Sequence, residues 1–320
     1  MDDSHLPKSL QGLALPVIAS PMFTVSYPEL VLAQCKAGIV GSFPALNARP
    51  AELLETWLAD MNRELSQFKA EHPDKPVGPI AVNQIVHDSN VRLMQDVETC
   101  VKHQVPIMIT SLRAPVPEII DAVHAYGGIV LHDVINMRHA AKALDAGVDG
   151  LIVVAAGAGG HAGAQSPFAL VGELRRRYDG PIILSGAIST GAAVLAAQAM
   201  GADLAYMGTR FIASRQAHAV DDYKQAIVRA SASDIIYTDL FTGVRGNYIR
   251  ESIERAGLDP DNLPANETGM NFSSGTSKPK SWKDIWGAGQ GVGQIDDVPT
   301  VAEIVDRLAQ EYQAARRRLG

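Results

Sequence analysis

From about residue 13 to residue 210 the chain repeats one pattern. A short run of apolar, often β-branched residues is followed by a small or polar cluster, then by a segment with helical spacing, then by a glycine. Eight such runs occur, at 13–22, 39–45, 76–86, 106–112, 128–135, 148–156, 181–188 and 202–209. They are apolar at successive positions, as parallel strands buried on both faces must be. Between them, Met137, Ala140, Ala141 and Leu144 fall at i, i+3, i+4 and i+7, and Ile119, Val123 and Tyr126 at i, i+4 and i+7. Both spacings mark one face of a helix. Gly38, Gly127, Gly147, Gly180 and Gly201 each precede the next run, where a glycine can take the left-handed conformation that ends a helix. Eight strand-then-helix units with short connections predict an α/β fold, the (β/α)8 TIM barrel. A doubly wound open sheet is the alternative, but it places a glycine-rich nucleotide turn after its first strand, where this chain has Ser20, Pro21 and Met22. Beyond Phe211 the pattern breaks. Residues 226–290 are polar and turn-rich and predict a smaller, partly helical, lid-like subdomain. The barrel would then comprise 1–225 and 291–320, with an amphipathic helix from 301 to about 319 returning to its wall.

Composition narrows the partners. Apolar residues make up 47% and charged residues 20%, a globular profile. The formal net charge is −7 and no basic stripe stands out, which argues against nucleic acid. The one basic cluster, Arg175, Arg176 and Arg177, reads as the end of a helix. Cys35 and Cys100 lie in helical segments, Cys100 on a face with Leu93, Val97 and Val101, and read as packed thiols. Residues 1–12 contain no apolar core of a signal peptide, and no uncharged apolar run reaches membrane length. The expectation is a cytoplasmic protein with no membrane partner.

In a TIM barrel the C-terminal strand ends converge on one site. Read in order, these ends are residues 19–22; Phe43 and Pro44; Asn83, Gln84 and His87; Ser111 and Arg113; His132 and Asp133; the stretch 155–165; Ser185, Gly186 and Ala187; and Met207, Gly208, Thr209 and Arg210. After the seventh and eighth strands, small residues let backbone N–H groups approach an anion. Ser185 and Thr209 add hydroxyls, and the following helix is expected to turn its positive end to the site. That is the usual phosphate position of such barrels. No lysine stands at a strand end, which argues against a Schiff base, and Asp133 is the one clearly placed acid. A neutral mouth of amide, hydroxyl and imidazole groups suits a planar, uncharged ring carrying a phosphate, the shape of flavin mononucleotide (FMN). Arg210 would pair either with phosphate or with an internal acid. His132 would either line the pocket or serve a structural role, and His87 and His124 read as surface or supporting residues.

PVIASPM at the first strand, AVN at the third, AGGHAG after the sixth, LSGAI at the seventh, MGTRF at the eighth and WGAGQGVGQIDD near the C-terminus resemble, in that order, the nitronate monooxygenase (2-nitropropane dioxygenase) family. The resemblance runs from about residue 13 to residue 298. It implies a TIM barrel with non-covalent FMN, and oxidation of alkyl nitronates by O2 to a carbonyl compound and nitrite. It implies that Met22 and Asn83 contact the flavin ring. Gly160, Ser185, Gly186, Gly208 and Thr209 would hold its ribityl and phosphate, and Gln290 would approach from the closing segment. Ala19, His132, Gly159, Ala187 and Met207, at the strand ends and in the loop after the sixth strand, are further candidates for the cofactor-binding set, with His132 either lining the pocket or bonding the ribityl chain, or structural. His161 corresponds to the family's catalytic histidine. The glycines around it would form a flexible loop free of side chains, lying against the cofactor's tail. An ordinary imidazole titrates near ~6.5. It could therefore act as a neutral base toward a nitroalkane, or as a charged donor to a nitronate. Many members carry arginine directly after this histidine and glutamate three residues before it, whereas this chain has Ala162 and Ala158. NAD(P)H-dependent flavin reductases on the same fold, of the enoyl-acyl-carrier-protein or quinone type, are the alternative function, with NAD(P)H as a further partner. A metal-dependent hydrolase or isomerase using His132, Asp133 and His161, and a non-catalytic flavin or phosphate binder, are the other classes. The expectation is no metal.

Overall fold

The structure is a computed structural model and describes residues 3–264 and 284–320. Eight parallel strands form the barrel: β1 (Val17–Ala19), β2 (Gly41–Pro44), β3 (Ile80–Val86), β4 (Ile107–Leu112), β5 (Ile129–Val134), β6 (Gly150–Val154), β8 (Ile182–Ser185) and β9 (Leu204–Met207). Neighbours pair from β2 through β3, β4, β5, β6, β8 and β9 to β1. A parallel bridge between Ile18 and Val40 joins β1 to β2 and closes the cylinder. All eight predicted runs contain one of these strands. The fold is the predicted TIM barrel.

Each strand alternates between two packing environments. Ile18, Val40, Ala81, Ile107, Ile109, Ile129, Leu131, Ile152, Val154, Ile183, Leu204 and Tyr206 pack together inside the cylinder. Their neighbours, such as Val82, Met108, Val130, Leu151, Leu184 and Ala205, pack outward with the helices. That outer layer includes α1 (Pro28–Lys36), α2 (Leu53–Glu71), α3 (Leu93–Lys102), α4 (Pro117–His124), α5 (Met137–Asp145), α6 (Pro167–Arg175) and α7 (Gly191–Ala199). After β9 follow a short α8 (Thr209–Ile212), α9 (Asp221–Arg229), α10 (Arg250–Arg255) and α11 (Val301–Leu319). Thr300 and Glu303 form a reciprocal capping box that starts α11. The helix packs on α7 and α1, returning to the wall as expected. Among the described residues, no helix is long and apolar enough to cross a membrane.

Some details differ from expectation. On α5 the buried positions are Ala140 and Ala143, while Ala141 is exposed, so the helix is rotated slightly from the predicted face. Tyr126 lies past the end of α4 and donates to the Val105 carbonyl at 2.8 Å. Gly38, Gly127, Gly147 and Gly201 have positive φ, whereas Gly180 does not; a Cβ there would meet the Tyr178 ring. Cys35 and Cys100 are free, buried thiols. Arg175 ends α6 by donating to the Gly201, Tyr178 and Gly180 carbonyls and to Asp203.

A second, antiparallel sheet is built from β7 (Gly160–His161), β10 (Ile235–Thr238) and β11 (Gly246–Ile249), in the order β10–β11–β7. Because β7 follows β6, this sheet stands at the C-terminal end of the barrel strands. The division expected at 225/226 falls inside α9, and residues 265–283 of the expected lid lie outside the described residues.

The α7–α11 contact depends on one missing side chain. A Cβ on Gly191 would stand 1.9 Å from the Leu308 carbonyl oxygen and 2.4 Å from the Tyr312 nitrogen. Gly191→Ala should therefore destabilise the protein by about 1–3 kcal/mol, the usual cost of overpacking. Gly172, inside α6, has nothing within 4 Å of its would-be Cβ. Gly172→Ala should instead stabilise by roughly 0.5–1 kcal/mol. Urea unfolding midpoints check both; equal midpoints would contradict the packing described.

Candidate active site

Strand alternation sorts the candidate residues. Asn83 and Ser185 stand at inward positions of β3 and β8. The Met22 sulfur lies 3.4 Å from where a Cβ on Gly208 would stand, so these two meet at the mouth. Ala19 and Met207 have their side chains in the outer layer instead. The Ala19 N–H donates to Val40 and its carbonyl accepts from the Ser42 hydroxyl. His132 lies between Val130 and Val134, both outward residues, and its Nδ1 is 2.8 Å from Thr110 Oγ1. Burial, aided by the nearby His139, lowers its pKa to about 4. His132 and Asp133 therefore occupy opposite faces of β5, and the proposed metal set with His161 is not assembled. Among the described residues, no group of three metal-ligating side chains occurs.

A narrow cleft opens where the loops after β6, β8 and β9 meet. It is lined by Gly157, Ala158 and Gly159, by Ser185, Gly186, Ala187, Ile188 and Ser189, by Tyr206, Gly208 and Thr209, and by Gly289 and Gly291. None of these carries a charge at neutral pH. Backbone contacts knit the lining together. Gln290 and Ala187 both donate to the Gly157 carbonyl, at 2.9 and 3.2 Å, and Gly289 donates to Thr209 Oγ1 at 2.9 Å. A Cβ on Gly159 would stand 2.7 Å from the Gly289 nitrogen, and one on Gly289 would stand 2.6 Å from the Gly157 oxygen. Neither position tolerates a side chain, which explains why both glycine runs are present.

The positive end of α7 is not left open as expected. Gly191 donates to the Glu311 carboxylate at 2.7 Å, and Thr190 caps Ala193. An anion in the cleft would rely on loop amides and on the Ser185 and Thr209 hydroxyls. Arg210 points elsewhere: its guanidinium meets Asp297 at 3.3 Å and the carbonyls of Ala213 and Asp297. Of its two expected roles, the internal ion pair is the one present. His87 bonds to Ser89, and His124 pairs with Asp149 on the surface.

The loop bearing His161 is held as a strand, not as the loose segment its composition suggests. Gly160 and His161 pair with Asn247 and Gly246 of β11. Asn247 Nδ2 donates to the Ala158 carbonyl at 2.6 Å, and the Tyr237 hydroxyl donates to Ala162 at 2.9 Å. His161 Nε2 lies 2.9 Å from Thr242 Oγ1. The single Thr242 proton is donated to the Val244 carbonyl at 3.0 Å. Thr242 also accepts from the Val244 N–H at 3.3 Å. With its proton on the carbonyl it accepts from His161 as well, an arrangement that pairs with a neutral imidazole protonated on Nε2. Burial lowers the His161 pKa to about 4. The shift is downward from the ordinary value near ~6.5 expected of an isolated imidazole, and it favours the uncharged ring at neutral pH. Ala158 and Ala162, at the positions of the family's glutamate and arginine, are buried with Ile135 against the inner cluster.

Two features escaped the sequence reading. Thr242 lies 81 residues from His161 and carries no local signal. The other is a polar chain inside the barrel: Asn83 Nδ2 donates to Ser111 Oγ at 2.7 Å, and Ser111 Oγ to Asp133 Oδ2 at 2.6 Å. Burial raises the Asp133 pKa to about 7. Each of the three stands at a strand end, and period-two alternation places all three inward, the signal that links them.

Comparison with known proteins agrees with this architecture. The chain is 26% identical over 291 residues to a nitronate monooxygenase of Paraburkholderia phytofirmans, covering 78% of each chain. Its fold matches FabK from Thermotoga maritima with a TM-score of 0.76 at 24% identity, covering 97% of this chain and 96% of that one. It matches nitroalkane oxidase from Streptomyces ansochromogenes with a TM-score of 0.76 at 21% identity, covering 95% and 97%. The family model described as nitronate monooxygenase matches residues 5–311. A match over nearly the whole chain means that this protein belongs to the nitronate monooxygenase family.

Proposed function

We propose that the protein is an FMN-dependent nitronate monooxygenase that converts alkyl nitronates or nitroalkanes and O2 into a carbonyl compound and nitrite. The family is flavin-dependent. The observation that carries the reading is an uncharged cleft of glycines and hydroxyls beside a half-buried imidazole whose pKa is lowered to about 4. Ser185, Gly186, Ala187, Gly208 and Thr209 would hold phosphate, with Gly159 and Gly160 beside the ribityl chain. Met22 and Asn83 would meet the ring, and Gln290 would close over Gly157. When bound, the flavin supplies electron transfer between substrate and O2. His161 Nδ1 takes the carbon proton of a neutral nitroalkane, and Thr242 holds the ring in the tautomer that can do so. A nitronate arrives without that proton and makes no such demand on the imidazole.

A second reading, an NAD(P)H-dependent flavin reductase of the enoyl or quinone type, is favoured by Ala158 and Ala162, which leave the loop without the charges many family members carry. Anaerobic mixing with NADH, NADPH and a nitronate panel separates the two. Bleaching of the flavin by nitronate supports the first reading; bleaching by a nicotinamide alone supports the second. Colourless protein that releases no FMN on heating would end both.

His161→Ala should keep FMN but lose at least ~10²-fold in oxidation of neutral nitroalkanes, the usual contribution of a general base. The loss on pre-formed nitronates should be smaller; equal losses would contradict the base role. The base form disappears as pH falls through the lowered pKa. The acid limb of kcat/KM for a neutral nitroalkane should therefore lie near pH 4, and a limb at the ordinary value near ~6.5 would refute burial as the controlling factor. Ser185→Asp places a carboxylate in the phosphate cleft and should yield flavin-free protein by like-charge repulsion, read from the visible spectrum after purification.

A further inference from the structure

Asp133 stands beside Ile152 in the β5–β6 register, on the inner face of the barrel. Ser111 reaches it from β4, and Tyr206 stands at an inward position of β9, its pKa raised by burial and then by the Asp133 charge. The Tyr206 hydroxyl interacts with Ser20, and the ring borders the cleft described above. Asp133 Oδ2 accepts from Ser111, but Oδ1 is shielded from water and, among the described residues, has no partner. A buried carboxyl oxygen without a donor is costly, so its presence calls for a function.

The direction of the chain follows from proton counting. A carboxylate oxygen at one end can only accept. Ser111 therefore spends its single proton on Asp133 and must accept from Asn83. The second Asn83 amide hydrogen is directed to the Ile109 carbonyl at 3.4 Å. With both hydrogens committed, Asn83 has only its carbonyl oxygen to offer a ligand. We propose that Asp133 is a positioning residue, which through Ser111 locks the Asn83 amide as an acceptor and so selects a cofactor edge that brings an N–H. This rests on the reading of Asn83 as a flavin-ring contact. Protonation of Asp133 on Oδ1 leaves Oδ2 as the acceptor but weakens its pull on Ser111, so the lock loosens as pH falls.

The relay can be read without activity and without flavin. In the apoprotein, the Asn83 side-chain amide resonances should move with pH through neutrality in the wild type, and Ser111→Ala should abolish that movement. Asn83 amide resonances that neither Ser111→Ala nor Asp133→Asn moves at any pH would overturn the proposal, whatever the protein does with flavin. In the flavin-loaded protein, Ser111→Ala and Asp133→Asn should each shift the oxidised-to-reduced equilibrium of the flavin by about tenfold, about 30 mV for a two-electron couple. Asp133→Asn can reverse the chain by donating to Ser111, so its shift should be the larger. Potentials within twofold of wild type in both variants would refute the link to the cofactor. Failure of every form to bind flavin would refute the functional reading, while the amide measurement would still decide the relay.

Discussion

Closure of the eight-stranded sheet is the constraint on which the site depends. Once the Ile18–Val40 bridge joins the first strand to the second, every barrel strand has an inside and an outside. A two-residue period then assigns each side chain to one of them. Asn83, Ser111, Asp133 and Ser185 reach the bore for that reason, and Ala19, His132 and Met207 are turned into the helix layer for the same reason. The adjacent pair His132 and Asp133 shows how strict the rule is. One residue is a neutral imidazole bonded to Thr110, and the next is a carboxyl within the cylinder.

The second requirement is that a glycine-rich loop be held still. Glycine in the unfolded chain has more freedom to lose than any other residue, so a run of it is a poor support for an aligned base. The antiparallel pairing of β7 with β11 supplies the missing order. The same pairing brings Thr242 to the imidazole and shields part of the ring from water. Alignment, tautomer and lowered pKa thus have one origin, the small sheet at the barrel mouth.

Much of this was legible in the chain. The eight apolar runs, the glycine stops and the helix from 301 to 319 follow from periodicity and capping, which are local. The clustering of Ser185, Gly186, Gly208 and Thr209 is also local, because each lies directly after its strand. What was not legible required contacts between distant segments. His161 and Thr242 meet only because residues 160–161 become a strand. The capped start of α7 depends on Glu311 from the last helix. Burial, and with it the titration of His161, is a property of the packed structure and cannot be read from the residue.

Charge gives the last step. The cleft lining carries none, Arg210 is committed to Asp297, and the loop positions beside His161 are occupied by buried alanines. Solvation at the cleft is therefore left to oriented dipoles, loop amides and hydroxyls, with the amide of Asn83 deeper in the bore and the Asp133 carboxyl behind it as the one acid of the chain Asn83–Ser111–Asp133. Dipoles must be aimed to be of use, whereas a full charge acts over a wider range of angles. A neutral site of this kind depends on the groups that fix direction, Thr242 for the imidazole and Ser111 with Asp133 for the amide. Hydrogen-bonding residues behind the lining therefore set the direction of the groups that form it.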